Sequence, residues 1–207
     1  MSPGPRHPPR NPTQELTDLA RARGVLRARD LDEQGLAREY LSRLTARGVL
    51  VRESRGLYRL GQADISQQHT LAQVGARIPG GVLCLLTALR FHGMTTLSPS
   101  EVWVAISGKA WRPVIRDLPV RIVRFSGQAF VAGHAPHMVE GVSLRVTTPA
   151  KTVADCFKFR NKLGLDVALE ALREGWHARR FTLDELWGFA QVDRVAQVLR
   201  PYLESLE

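Results

Sequence analysis

No apolar run in the 207 residues approaches the roughly 18 needed to span a membrane as a helix, and no signal-peptide hydrophobic core follows the start. A cytoplasmic protein is expected. Cysteine is nearly absent, with Cys84 and Cys156 both in apolar, helix-like contexts and without metal-ligand spacing. That excludes a disulfide framework and predicts reduced core thiols. Catalytic patterns are missing too. Ile106-Ser107-Gly108-Lys109 lacks the upstream glycine of a phosphate-binding loop. Glu101 and Glu140, the acids near predicted strands, have no acid-x-lysine partner of the kind nucleases use. No Ser-His-Asp or Cys-His arrangement can be argued from residue order. His134 and His137 form an HxxH with Glu140 nearby, but Gly133, Pro136 and Gly141 predict a loop with no further ligand in place. The expectation is a protein that is not an enzyme and holds no metal or cofactor.

Lysine is the scarce cation, with four lysines in a total of 29 Lys plus Arg. The arginine bias suits bidentate contacts to phosphate and guanine, and a GC-rich genome would produce the same bias. Against 20 Asp plus Glu, the net charge is +9 and the pI near 10.5. A polyanion is the natural partner of such a surface. The charge is concentrated at one end: residues 1–60 contain 12 arginines, no lysine and seven acids. Residues 1–12 contain five prolines and a few basic residues, which predicts a disordered tail.

The densest basic segment also has a recognisable order. Leu16, Leu19 and Ala20 share one side of a 3.6-residue repeat and predict a first helix. Asp30-Leu31-Asp32-Glu33-Gln34 gives a short second helix before Gly35, a residue suited to a tight turn. From Leu36 the apolar positions recur at Tyr40, Leu41 and Leu44, leaving Arg38, Glu39, Ser42, Arg43 and Arg47 facing solvent. Gly48 closes this third helix. Residues 49–52 then read as a strand, 53–56 as a turn and 57–60 as a returning strand. The outline over 16–60 is a winged helix-turn-helix, in which a helix enters the major groove and the wing grips the backbone. Arg38, Ser42 and Arg43 are the candidates for base contact. Arg47, Arg52, Ser54, Arg55 and Arg59 are the candidates for phosphate contact. Solvation of a surface by these arginines, or use of the winged helix as a protein-protein module, are the competing readings.

Residues 61–66 read as a linker, with Ser66 able to cap a helix over 68–78. A second domain over 66–207 would follow the reader at 13–62. Its pattern gives a buried helix over 83–91, strands over 101–107, 120–125 and 142–147, and helices over 150–159, 165–174, 183–191 and 192–203. The fold class expected is therefore α/β (α+β), with a helical C-terminal end. Lys151, Asp155, Lys158 and Lys162 recur at helical spacing, either as a solvated helix face or as a basic face for an acidic partner. Trp103, Trp111, Trp176 and Trp187 are candidate interface anchors or core residues. Arg112, Arg116, Arg121 and Arg124 make a second basic stretch.

Three segments carry a family resemblance: Arg55-Gly56-Leu57-Tyr58-Arg59-Leu60, the Leu-Thr-Ala-Leu-Arg-Phe-His-Gly run of 86–93, and Thr148-Pro-Ala-Lys-Thr-Val-Ala-Asp-Cys-Phe. With these the chain resembles the AbiEi antitoxins of type IV toxin-antitoxin systems. The resemblance implies a bacterial two-domain protein whose winged helix binds double-stranded DNA at the promoter of its own operon. It also implies that the second domain counteracts a nucleotidyltransferase toxin, directly or indirectly. The DNA-binding role falls on 38–47 and 52–59, and no tight motif marks the antitoxin surface. A stand-alone regulator or interaction module without a toxin partner is the alternative.

Overall fold

The computed structural model describes residues 11–62 and 68–205. The predicted tail falls outside these residues except for Asn11 and Pro12, and the predicted cap at Ser66 also lies outside them. The chain divides into two compact units, Met1–Arg77 with Met138–Ser143, and Ile78–His137 with Leu144–Glu207. Composition placed the boundary at 62–66. It lies later because the helix that follows the linker is tied to the first unit by Gln73, whose amide donates to Glu53 at 2.9 Å.

In the first unit, α1 (Pro12–Arg23) starts at Asn11, whose side chain accepts from Thr13 N at 3.0 Å, with Pro12 at the first helical position. It stops at Gly24, where φ is +62° and Val25 N donates back to Arg23 O at 2.6 Å. This is a γ-turn with a conformation that only glycine adopts cheaply. Next come β1 (Leu26–Arg27), α2 (Ala28–Glu33), α3 (Glu39–Ala46), β2 (Leu50–Ser54), β3 (Leu57–Leu60) and α4 (His69–Arg77). The strands form one antiparallel sheet in the order β1-β3-β2, with Leu26 opposite Tyr58 and Leu50 opposite Leu60. Sequence patterning missed β1, because two residues are too few to show alternation. Leu16, Ala20, Leu26, Leu31, Leu41, Leu44 and Leu50 close one core beneath the three helices and the sheet. Each leucine buried there is worth about 1.5–3 kcal/mol, enough to fix which face of α3 remains outside.

In the second unit the elements are β4 (Val82–Leu83), α5 (Leu85–Phe91), β5 (Val102–Ser107), β6 (Val120–Phe125), α6 (Gln128–Val131), β7 (His134–Val139), β8 (Val142–Thr147), α7 (Pro149–Lys158), α8 (Arg160–Leu163), α9 (Leu165–His177), α10 (Leu183–Val192) and α11 (Ala196–Leu203). The tip of the β7-β8 hairpin, from Met138 to Ser143, belongs to the first unit. The sheet order is β6-β5-β4-β8-β7, with β5 parallel to β6, β4 parallel to β8, and β4 antiparallel to β5. Both the fold class and most elements agree with the sequence. The apolar run at 83–91 splits into the end of β4 and α5. The segment expected as a loop around His134 and His137 is the strand β7. Residues three apart on a strand point to opposite faces, so this HxxH cannot converge on one ion. His137 instead meets Phe91 edge-on, with ring centroids 4.8 Å apart. Glu140 lies in the first unit and bonds His69.

The spacing of Lys151, Asp155, Lys158 and Lys162 predicts a solvated or partner-facing surface; Lys158 and Lys162 are exposed, and the structure corrects the expectation for Lys151 and Asp155. α7 is enclosed along almost its whole length, and Lys151 and Asp155 are fully buried. The Lys151 amine pairs with Asp155, reaches Asp193 at the C-terminal cap of α10 at 3.0 Å, and lies 5.0 Å from the centre of the Phe125 ring. Burial pushes the Asp155 carboxyl well up, with Lys151 pulling against it and Asp193 adding to the rise. Cys84 and Cys156 are free thiols in the same core, as the sequence predicts. Of the tryptophans, Trp103 is buried and Trp111 is 92% exposed.

Candidate nucleic-acid interface

The turn between α2 and α3 is built on Gly35, at φ +67°, with Leu36 N returning to Leu31 O at 2.9 Å. This closes α2 and sends the chain into α3 at a fixed angle. Leu41 and Leu44 anchor the inner face of α3, and Tyr40 is half-buried beside them. Glu39, Ser42, Arg43, Ala46 and Arg47 remain on the outside. α3 is therefore the amphipathic helix expected from its spacing, beginning three residues later than the pattern at Leu36.

The predicted contact residues separate into three groups. Ser42, Arg47, Arg52 and Arg55 are exposed, and no ion pair holds the three arginines among the described residues. Arg38 and Arg43 are exposed but already engaged. Arg38 precedes α3 and forms a two-point contact with Asp32 of α2, its Nε donating at 3.0 Å. That hydrogen bond holds the Asp32 carboxyl below its ordinary range. Arg43 lies 3.6 Å from Glu39 and 5.1 Å from the centre of the Tyr40 ring. Exposed pairs of this kind contribute little to stability. Ser54 and Arg59 are turned inward. Ser54 is bonded by Arg77, while Arg59 pairs with Glu53 and donates to Leu60 O at 2.9 Å. Their contribution is to the hairpin's shape.

That shape depends on a bulge. The β2-β3 register moves from Arg52 opposite Tyr58 to Ser54 opposite Leu57, leaving Glu53 unpaired in the ladder. Freed in this way, Glu53 accepts from Arg59, from Gln73 at 2.9 Å and from His69 at 3.2 Å. The other nitrogen of His69 lies 2.6 Å from Glu140. Burial opposes charge on this imidazole, but bonds to Glu140 and Glu53 outweigh it and hold His69 above its ordinary value. Burial would likewise raise Glu53, yet His69 and Arg59 leave it below its ordinary value. Asp30 serves the other side of the unit. It is buried, and its two oxygens take the Arg27 backbone N–H at 2.7 Å and the Arg27 side chain at 2.8 Å, while Arg23 approaches at 2.9 Å. Burial alone would raise this carboxyl as well, and the Arg27 bonds keep it low.

Arg29 joins the exposed cations and was not identified in the sequence. It is on α2, one residue before Asp30, and no ion pair holds it among the described residues. The sequence pattern starts the second helix at Asp30, which puts Arg29 in a loop. The Arg27 bonds to Asp30 move the helix start back to Ala28. Among the described residues, no group of three or more His, Cys, Asp or Glu side chains is placed to hold a metal ion. No helix among them is long and apolar enough to cross a membrane.

No curated protein matches the chain. Its fold is similar to the crystal structure of the RV2827C protein from Mycobacterium tuberculosis, with a TM-score of 0.58 over 90% of this chain and 72% of that one. Identity between the two is 18%, so the likeness is one of fold. Residues 14–61, from α1 through the β2-β3 hairpin, match the family described as "Transcriptional regulator, AbiEi antitoxin".

Proposed function

We propose that the protein is a DNA-binding antitoxin that represses transcription of its own toxin-antitoxin operon. On this reading the β2-β3 hairpin is the wing of a winged helix-turn-helix. The observation that carries it is the joint exposure of Ser42, Arg43 and Arg47 on α3 with Arg52 and Arg55 on the hairpin, in the segment that matches the regulator family. α3 would enter a major groove, where Arg43, with Ser42 beside it, reaches base edges. Arg38 would release Asp32 to make the same kind of contact. Arg47, Arg52, Arg55 and Arg29 would hold phosphates and fix the register.

The reading is of a regulator rather than an enzyme, acting in the cytoplasm and without a cofactor. Its toxin partner would be a nucleotidyltransferase, which the resemblance of residues 86–93 and 148–157 to AbiEi antitoxins supports. Counteraction of that toxin, directly or indirectly, falls to the second unit. The test is a reporter driven by the DNA upstream of the gene. The wild-type protein should repress it, and Arg43→Ala combined with Arg55→Ala should release it at equal protein level. Repression by the double variant equal to that of wild type would overturn the reading. For the antitoxin role, co-expression with the neighbouring toxin gene should restore growth, and unchanged toxicity would remove that part.

A further inference from the structure

The second unit displays a tryptophan that the proposed regulator function leaves unused. β5 and β6 are parallel, yet only the loop 108–119 joins them, and Trp111 stands in it 92% exposed. Val114 is 77% exposed close by. The loop folds beside β6, the edge strand of the sheet, and with Val120 and Ile122 it lines an open groove of about 570 Å³. Lys109, Arg112 and Arg124 add positive charge to this apolar lining. Residues 109–124 contain Lys109, Arg112, Arg116, Arg121 and Arg124 against one carboxylate, Asp117.

Of the five cations, Arg124 shares the groove face of β6 with Val120 and Ile122, whereas Arg121 lies on the opposite face of the strand. Arg124 donates to the carbonyls of Gly108 at 2.8 Å and Ala110 at 2.9 Å, which fixes the start of the loop. Arg121 pairs with Glu101 at 2.7 Å and lies 4.8 Å from the centre of the Trp103 ring. Lys109, Arg112 and Arg116 are exposed and held by no ion pair among the described residues. Lys109 and Arg112 line the groove together with the uncovered indole, and Arg116 is exposed on the same loop, so an aromatic platform and free cations for phosphates occur side by side.

We infer that the Trp111 groove binds single-stranded nucleic acid, with one unpaired base stacked on Trp111 and flanking phosphates on Lys109, Arg112 and Arg116. Stacking on an exposed aromatic beside a basic groove is how unpaired strands are held without base readout. A duplex keeps its base faces covered and offers Trp111 nothing to stack on. The core of a protein interface is depleted in charge, whereas here cations adjoin the aromatic itself.

The test uses the full chain and fluorescein-labelled octamers of thymidylate and of uridylate, followed by anisotropy. Trp111→Ala should weaken binding of at least one octamer roughly tenfold or more, and Trp111→Phe should restore most of it. Arg112→Ala should reduce the salt slope by about 0.7. Either octamer bound through Trp111 supports the site, and a preference between them identifies the sugar it favours. Binding unchanged by Trp111→Ala, or binding of neither octamer, overturns the inference. So does a glutamate decapeptide whose binding is lost with Trp111, since that result assigns the groove to an acidic protein. The readout is set by Trp111 in the second unit and stands apart from duplex binding by α3 and the hairpin.

Discussion

Glu53, the bulged residue of β2, accepts a hydrogen bond from Nε2 of His69 at 3.2 Å, and so the hairpin is tied to a helix that begins beyond the linker. The Nδ1 of the same ring lies 2.6 Å from Glu140. A ring facing carboxylates through both nitrogens donates through both only when protonated. This gives the hairpin a pH dependence. His69 is raised above 6.5, so its contribution is complete below that pH and is lost as pH rises through the higher folded value. Glu53 is lowered below 4.5, so its contribution is complete above that pH and is lost as pH falls through the lower folded value. Amide exchange of residues 50–60 should therefore accelerate as pH is raised above 6.5, after correction for the intrinsic rate. In His69→Gln the acceleration should disappear. An equal pH response in that variant would refute the link.

Gly24→Ala should destabilise the first unit by at least about 2 kcal/mol. The position has φ +62°, and an added Cβ would lie 1.4 Å from the carbonyl oxygen of Glu140. Both the turn and the neighbouring backbone would have to move. A thermal melt followed by circular dichroism decides it, and an unchanged midpoint would mean that the backbone there yields freely.

Lys151→Met should destabilise the second unit by about 3–5 kcal/mol, the usual result of leaving a buried charge without its partner. Lys151, Asp155 and Asp193 all lie in the interior. Replacing Lys151 and Asp155 together by apolar residues should recover part of the loss, because the carboxyl that burial has pushed up is then gone. Urea unfolding followed by tryptophan fluorescence isolates this unit, since all four tryptophans lie in it. A loss below about 1 kcal/mol would instead be that of a solvated pair.

Arg55→Ala and Arg59→Ala should part company although only three residues separate them. Arg55 is exposed at the hairpin tip, and its loss should weaken binding of all duplexes about equally and flatten the salt slope by about one. Arg59 is bonded to Glu53 and Leu60, and its loss should lower thermal stability first. A melt of each variant beside a salt titration separates the two roles. Equal stability in Arg59→Ala would return that residue to the phosphate contacts.

The order of elements in the first unit was readable because Leu16, Ala20, Leu41 and Leu44 repeat with the helical period, and Gly35, Gly48 and Gly56 mark the turns. What stayed hidden was pairing over distance. Nothing local indicates that Asp32 meets Arg38, that Glu53 leaves its ladder, or that Ser54 and Arg59 turn inward. A count of arginines weighs Arg55 and Arg59 equally, whereas the fold exposes one and bonds the other. Two-residue strands such as β1 and β4 are too short to show a period. The charged spacing of α7 read as surface because Lys151 and Asp155 satisfy each other only once α10 brings in Asp193.

On the proposed function, α3 and the hairpin read a particular DNA sequence. The most direct measurement is the affinity of the purified protein for the duplex upstream of its gene against a scrambled duplex, at near-physiological salt and over a salt series. A preference of roughly a thousandfold or more, much reduced in Arg43→Ala, is the predicted result. Equal affinity for the two duplexes, with Arg43→Ala weakening both alike, would contradict it.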